Sequence, residues 1–138
     1  DFAYLAATTF AGQPLAWMEA SNLPEEAFSI AGQIRRYREI APAFHSGTVL
    51  PIGEEPSGRS WTGFQSLLSK KEGFILVFRE DTASHKGLIK TWLPAGTRVR
   101  LKPVLGGGRG TRVKVSAEGH IKLKLKKKNS FALYKYKI

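Results

Sequence analysis

The sequence predicts a mainly β fold, an antiparallel β-sandwich of about eight strands preceded by one long helix, and three observations predict it. A helical spacing of apolar residues stops near Gly47 and gives way to short alternating apolar and polar segments that run to Ile138. Those segments are separated by Gly, Pro, Asn and Ser, the residues that turn chains. The 138 residues, 42% of them hydrophobic, supply one domain with enough apolar mass for a core.

The elements follow in order. Phe2 to Phe10 is apolar and Ala-rich, which suits a short buried helix. Gln13 to Ala20 is an apolar run of strand length whose Pro14 is tolerated only at its start. Asn22-Leu23-Pro24-Glu25 has the form of a capping box, and Glu25 and Glu26 favour the positive end of a helix. That helix is expected from about Leu23 to Ala41, stopped near Pro42 and Gly47, with Phe28, Ala31, Ile34, Tyr37, Ile40, Ala41 and Phe44 on one face.

A strand followed by a helix is the pattern of a parallel α/β unit, and one such unit is not a fold. The helix must therefore either lie against the β region or keep its apolar face for protein outside this chain. Beyond Gly47 strands are expected near residues 48–51, 63–68, 74–79, 87–93, 98–105, 111–116, 120–126 and 131–137. The separators are Lys71-Glu72-Gly73, Pro94-Ala95-Gly96, Gly106-Gly107-Gly108, Glu118-Gly119 and Asn129-Ser130. Short strands joined by tight turns pack as a sandwich.

Charge is unevenly placed. Residues 1–97 carry 9 Lys and Arg against 10 Asp and Glu, whereas residues 98–138 carry 13 basic residues and only Glu118. A basic face can bind polyanions by releasing their counterions. The phase of His120-Ile121-Lys122-Leu123-Lys124-Leu125-Lys126 favours a plainer reading: lysines that alternate with apolar residues share one solvated sheet face and discourage edge-to-edge pairing. Nucleic acid and membrane are therefore not the expected partners.

The absence of cysteine excludes a disulfide framework and thiolate metal sites. The uncharged run from Phe2 to Met18 starts behind Asp1, contains Gln13 and Pro14, and is too short and mild to span a bilayer, so a soluble protein is expected. Because the chain opens without Met, it is expected to start inside a longer protein.

His45, His85 and His120 have no second ligand at a metal-binding spacing, and no metal or cofactor is expected. Glu54 and Glu55 are neighbours on extended backbone and point to opposite faces, which places them poorly for shared acid-base work. Gly106 to Gly110 lacks the strand-loop-helix context of a phosphate loop and reads as a hairpin turn. Trp17, Trp61, Trp92 and Phe64 have faces that can stack on sugar rings, although such residues more often fill cores.

The text from Gln13 to Pro24, the helix ending Ile34-Arg35-Arg36-Tyr37-Arg38, and above all Pro51-Ile52-Gly53-Glu54-Glu55-Pro56-Ser57-Gly58-Arg59-Ser60-Trp61-Thr62-Gly63-Phe64-Gln65 resemble the C-terminal end of α-galactosidase-like glycoside hydrolases. Gly73 to Glu80 continues the likeness, which spans roughly residues 13 to 80 and leaves the basic end unexplained. The resemblance implies a (β/α) barrel followed by a C-terminal β-sandwich. Residues 1–47 would then be a remnant of the last barrel unit and residues 48–138 the sandwich.

It also implies retaining hydrolysis by two carboxylates about 5 to 5.5 Å apart on earlier barrel strands, with no catalytic position in this chain. The implied partners are the catalytic barrel and, through it, carbohydrate. Trp17 and Glu19, near a C-terminal strand end, and Trp61 are the expected substrate-lining residues. Two alternatives stay open: an autonomous carbohydrate-binding module using Trp61 or Trp92, and a basic β-fold binding polyanions through Lys122, Lys124, Lys126, Lys127 and Lys128.

Overall fold

The computed structural model describes residues 1–13 and 21–138. The strand expected over Gln13 to Ala20, with Trp17 and Glu19, lies outside the described residues apart from Gln13. Three helices lead: α1 (Phe2–Thr8), α2 (Glu25–Phe28) and α3 (Ala31–Ser46). Eight strands follow among the described residues: β1 (Thr48–Gly53), β2 (Trp61–Leu67), β3 (Glu72–Arg79), β4 (Lys86–Lys90), β5 (Arg98–Gly106), β6 (Thr111–Lys114), β7 (His120–Lys124) and β8 (Ser130–Lys137).

All pairings are antiparallel. One sheet has six strands in the order β1-β2-β3-β8-β5-β6, and β4 pairs with β7 in a two-stranded ribbon. The ribbon covers one face of the large sheet, with β4 against β1 and β2 and β7 against β6. The fold is mainly β and sandwich-like, as the alternating segments predict.

Two cores lie on opposite faces of the large sheet. Between sheet and ribbon, Trp61, Ile75, Val77, Tyr134 and Tyr136 meet Ile89, Ile121 and Leu123. On the other face, Phe74, Leu76, Phe78, Phe131 and Leu133 meet Phe10, Tyr37, Ile40 and Phe44 of the helical layer. Strand β3 is thus buried on both sides, which is why Phe74-Ile75-Leu76-Val77-Phe78 reads as an unbroken apolar run. The layers are joined by polar links: Ser66 Oγ donates to the Phe44 carbonyl at 2.5 Å, and Gln65 accepts from the Trp92 amide at 2.9 Å.

The helical region differs from expectation in three ways. The single helix is broken at Ser29 and Ile30, and the N-cap of α2 is Pro24 with no side-chain cap, so the Asn22 capping box does not form. Helix α3 continues through Pro42 to Ser46. Pro42 has no N–H to donate to the Arg38 carbonyl, so the helix passes it with one bond of its ladder missing. The stop is Gly47, where an added Cβ would lie 2.5 Å from Ser66 Oγ and 2.7 Å from the Leu67 carbonyl oxygen.

The apolar face of α3 is also covered by this chain's own sheet: Tyr37 and Phe44 are 4% and 0% exposed. The Phe10 and Tyr37 rings stack at 3.8 Å, and the Tyr37 hydroxyl donates to the Phe10 carbonyl at 2.5 Å. Phe28, separated from α3 by the break, is 59% exposed instead of joining that face.

Candidate functional site

The most distinctive sequence segment, Pro51 to Gln65, forms the end of β1, a loop and most of β2. Its acids do not converge on a cavity. The Trp61 amide donates to Glu54 at 3.3 Å, and Ser60 Oγ donates to the Glu55 carbonyl at 2.8 Å. Glu80, at the far end of β3, closes the same loop: its Oε2 accepts from the Ser57 amide at 3.2 Å, the Ser60 amide at 2.9 Å and Ser60 Oγ at 2.7 Å. Partial burial would raise the Glu80 pKa, but the bonds from Ser60, Ser57 and Gly58 outweigh it and hold the carboxyl below its ordinary range.

Trp61 itself is 6% exposed. Its indole N–H donates to the Ser84 carbonyl at 3.2 Å, and its ring lies so close to Gly87 that an added Cβ would sit 2.2 Å from it. The ring therefore joins sheet to ribbon and offers little surface to a sugar. Trp92 is 58% exposed, its N–H fixed to the Pro51 carbonyl at 2.9 Å. Trp61 and Trp92 thus do not form a shared exposed platform.

Arg79 pins the open end of the sandwich. It is 3% exposed and donates to the carbonyls of Leu125, Lys126, Thr82 and Ala83 at 2.7 to 3.2 Å. Beside this clamp a cleft of about 670 Å³ opens between the ribbon and the β5–β6 turn. Lys86, Lys122, Lys124, Lys126, Lys127 and Arg109 line it with Thr111, Ser130 and Tyr134, and among the described residues no carboxylate does. Of the lysines singled out from sequence, Lys128 instead pairs with Asp81 at 2.6 Å.

A second cationic surface was not legible in the sequence. Register sets Arg98 opposite Lys114, Arg100 opposite Arg112 and Lys137, and Lys102 opposite Lys135. Directly opposed residues share a face, so these seven exposed cations occupy one face of β6, β5 and β8. It is the face whose other half, Phe74, Leu76 and Leu133, is buried beneath the helices. Two shallow hollows of about 330 and 370 Å³ lie along these strands and share Arg100 and Arg112. The only clue in the sequence was alternation within each strand, and nothing there revealed which strands adjoin.

His45 Nε2 lies 2.8 Å from the Tyr37 hydroxyl, His85 is in an exposed loop and His120 opens β7. Among the described residues no group of three or more His, Cys, Asp or Glu is arranged to hold a metal ion, and no helix is long and apolar enough to cross a membrane. No family model matches the chain, and no curated protein or solved structure matches it.

Proposed function

We propose that this chain is the noncatalytic C-terminal β-sandwich region of an α-galactosidase-like glycoside hydrolase, and that it packs on and supports a catalytic barrel supplied elsewhere in the parent protein. The observation that carries this reading is the use made of the acids in the resembling segment. Glu54 and Glu80 are consumed as hydrogen-bond acceptors that shape the 54–61 loop, which is an architectural role. A retaining glycosidase needs two carboxylates facing one sugar bond, and the clefts on the sandwich are lined by cations. The exposed apolar side chains Leu5 and Phe28 lie on the helical layer, where contact with a barrel would cover them.

The test compares two proteins. The purified 138-residue chain is expected to leave aryl α-galactosides intact. The product of the same reading frame extended upstream is expected to hydrolyse them with retention and to lose thermal stability when residues 48–138 are deleted. Hydrolysis by the short chain alone, or an upstream sequence without a barrel, would refute the proposal.

A further inference from the structure

We infer that the exposed cationic face of β6, β5 and β8 in the large sheet is a docking surface for an anionic polysaccharide. This goes beyond the glycosidase reading and stands without it. The first ground is that like charges directly opposed across strands destabilise a sheet, yet this face carries four such pairs: Arg98–Lys114, Arg100–Arg112, Arg100–Lys137 and Lys102–Lys135. Among the described residues the ion pairs are Arg36–Glu39 and Lys128–Asp81, so no carboxylate neutralises these cations by contact. Glu72 on β3 is in register with Lys137 at the margin of the array.

The second ground is spacing. Side chains on one face repeat about every 6.8 Å along a strand and about 4.8 Å between strands, so the cations form a regular two-dimensional array. A polymer with an anion on each repeating unit can occupy several positions of such an array at once. The two hollows that share the Arg100–Arg112 wall offer consecutive seats for its units. Guanidinium groups there can bind sulfate or carboxylate in bidentate fashion.

The third ground separates this occupant from others. The exposed large apolar side chains among the described residues are Leu5, Phe28, Leu88 and Trp92, and none is on this face. Unpaired bases would find no ring to stack on, and a bilayer would find no apolar side chain to take up. The array is carried by strands of a sheet and not by a helix, the element that most readily enters a duplex groove.

The experiment measures binding of the full chain to heparin, to polygalacturonate and to a duplex DNA of matched charge at physiological salt. Three proteins are compared: wild type, an array variant (Arg100→Glu, Arg112→Glu, Lys137→Glu) and a ribbon variant with the same charge change (Lys86→Glu, Lys122→Glu, Lys124→Glu). Wild type is expected to bind at least one polysaccharide about tenfold more tightly than the duplex. The array variant is expected to lose about 100-fold and the ribbon variant no more than about fivefold. If circular dichroism shows the array variant unfolded, the Gln versions of the same three positions replace it, with a loss of about tenfold expected. Equal losses from both surfaces, duplex binding as tight as polysaccharide, or no polysaccharide binding by wild type would overturn the inference.

Discussion

Glu80 shows how one side chain turns a loop into fixed structure. Replacing it by Ala leaves the Ser60 amide without its acceptor and takes one of two acceptors from the Ser57 amide and from Ser60 Oγ, and the expected cost is about 2 kcal/mol in urea denaturation. Its carboxyl titrates lower in the folded chain than in the unfolded one. The stabilisation is therefore complete above the unfolded pKa and is lost as pH falls through the folded pKa. Glu80→Gln should accordingly be less stable than wild type at neutral pH, with the difference shrinking as the solution is acidified below about pH 4. A gap that stays constant with pH would show that the charge is irrelevant. Gly87 gives a second residue-scale test: Ala there would strike the Trp61 ring, and a loss of about 2 kcal/mol in thermal or urea unfolding is expected.

At the scale of elements, the helices and the sheet share a core, and two phenylalanines separated by one break behave oppositely. Phe44→Ala removes a fully buried ring between α3 and β3 and should destabilise by about 3 to 5 kcal/mol, whereas Phe28→Ser in the isolated chain should stay within about 0.5 kcal/mol. Calorimetry on both variants checks the pair, and similar effects would contradict the break at Ser29. The strands were legible because most alternate with a period of two that no helix shares and β3 is a short apolar run bounded by turn residues, and Gly96, Gly106 and Gly119 do adopt the positive φ their turns need. The helix break and the passage through Pro42 were not legible. Both depend on where the sheet receives Tyr37, Ile40 and Phe44, and that is a tertiary matter.

For the whole molecule, a net charge of +11, with the positive excess gathered after Thr97, implies self-repulsion in the folded state. Raising salt from about 0.02 M to about 0.5 M shortens the screening length several-fold, and the melting temperature is expected to rise by about 4 °C. The array variant, which replaces three cations by carboxylates beside the remaining ones, should show a smaller rise. A melting point indifferent to salt in both proteins would mean that the cations are too solvated to repel one another.

Sequence by itself determined the mainly β class, the order of eight strands and the concentration of positive charge after Thr97, because periodicity, turn chemistry and composition are local quantities. Only the tertiary structure decided that β8 is inserted between β3 and β5. That placement buries β3 on both faces, turns Trp61 and Glu80 into parts of the frame, and brings cations from three separate strands onto one surface. The physical reason is that strand neighbours are chosen by long-range pairing and shared burial, and residues far apart in a chain carry no local mark of the partner they will meet.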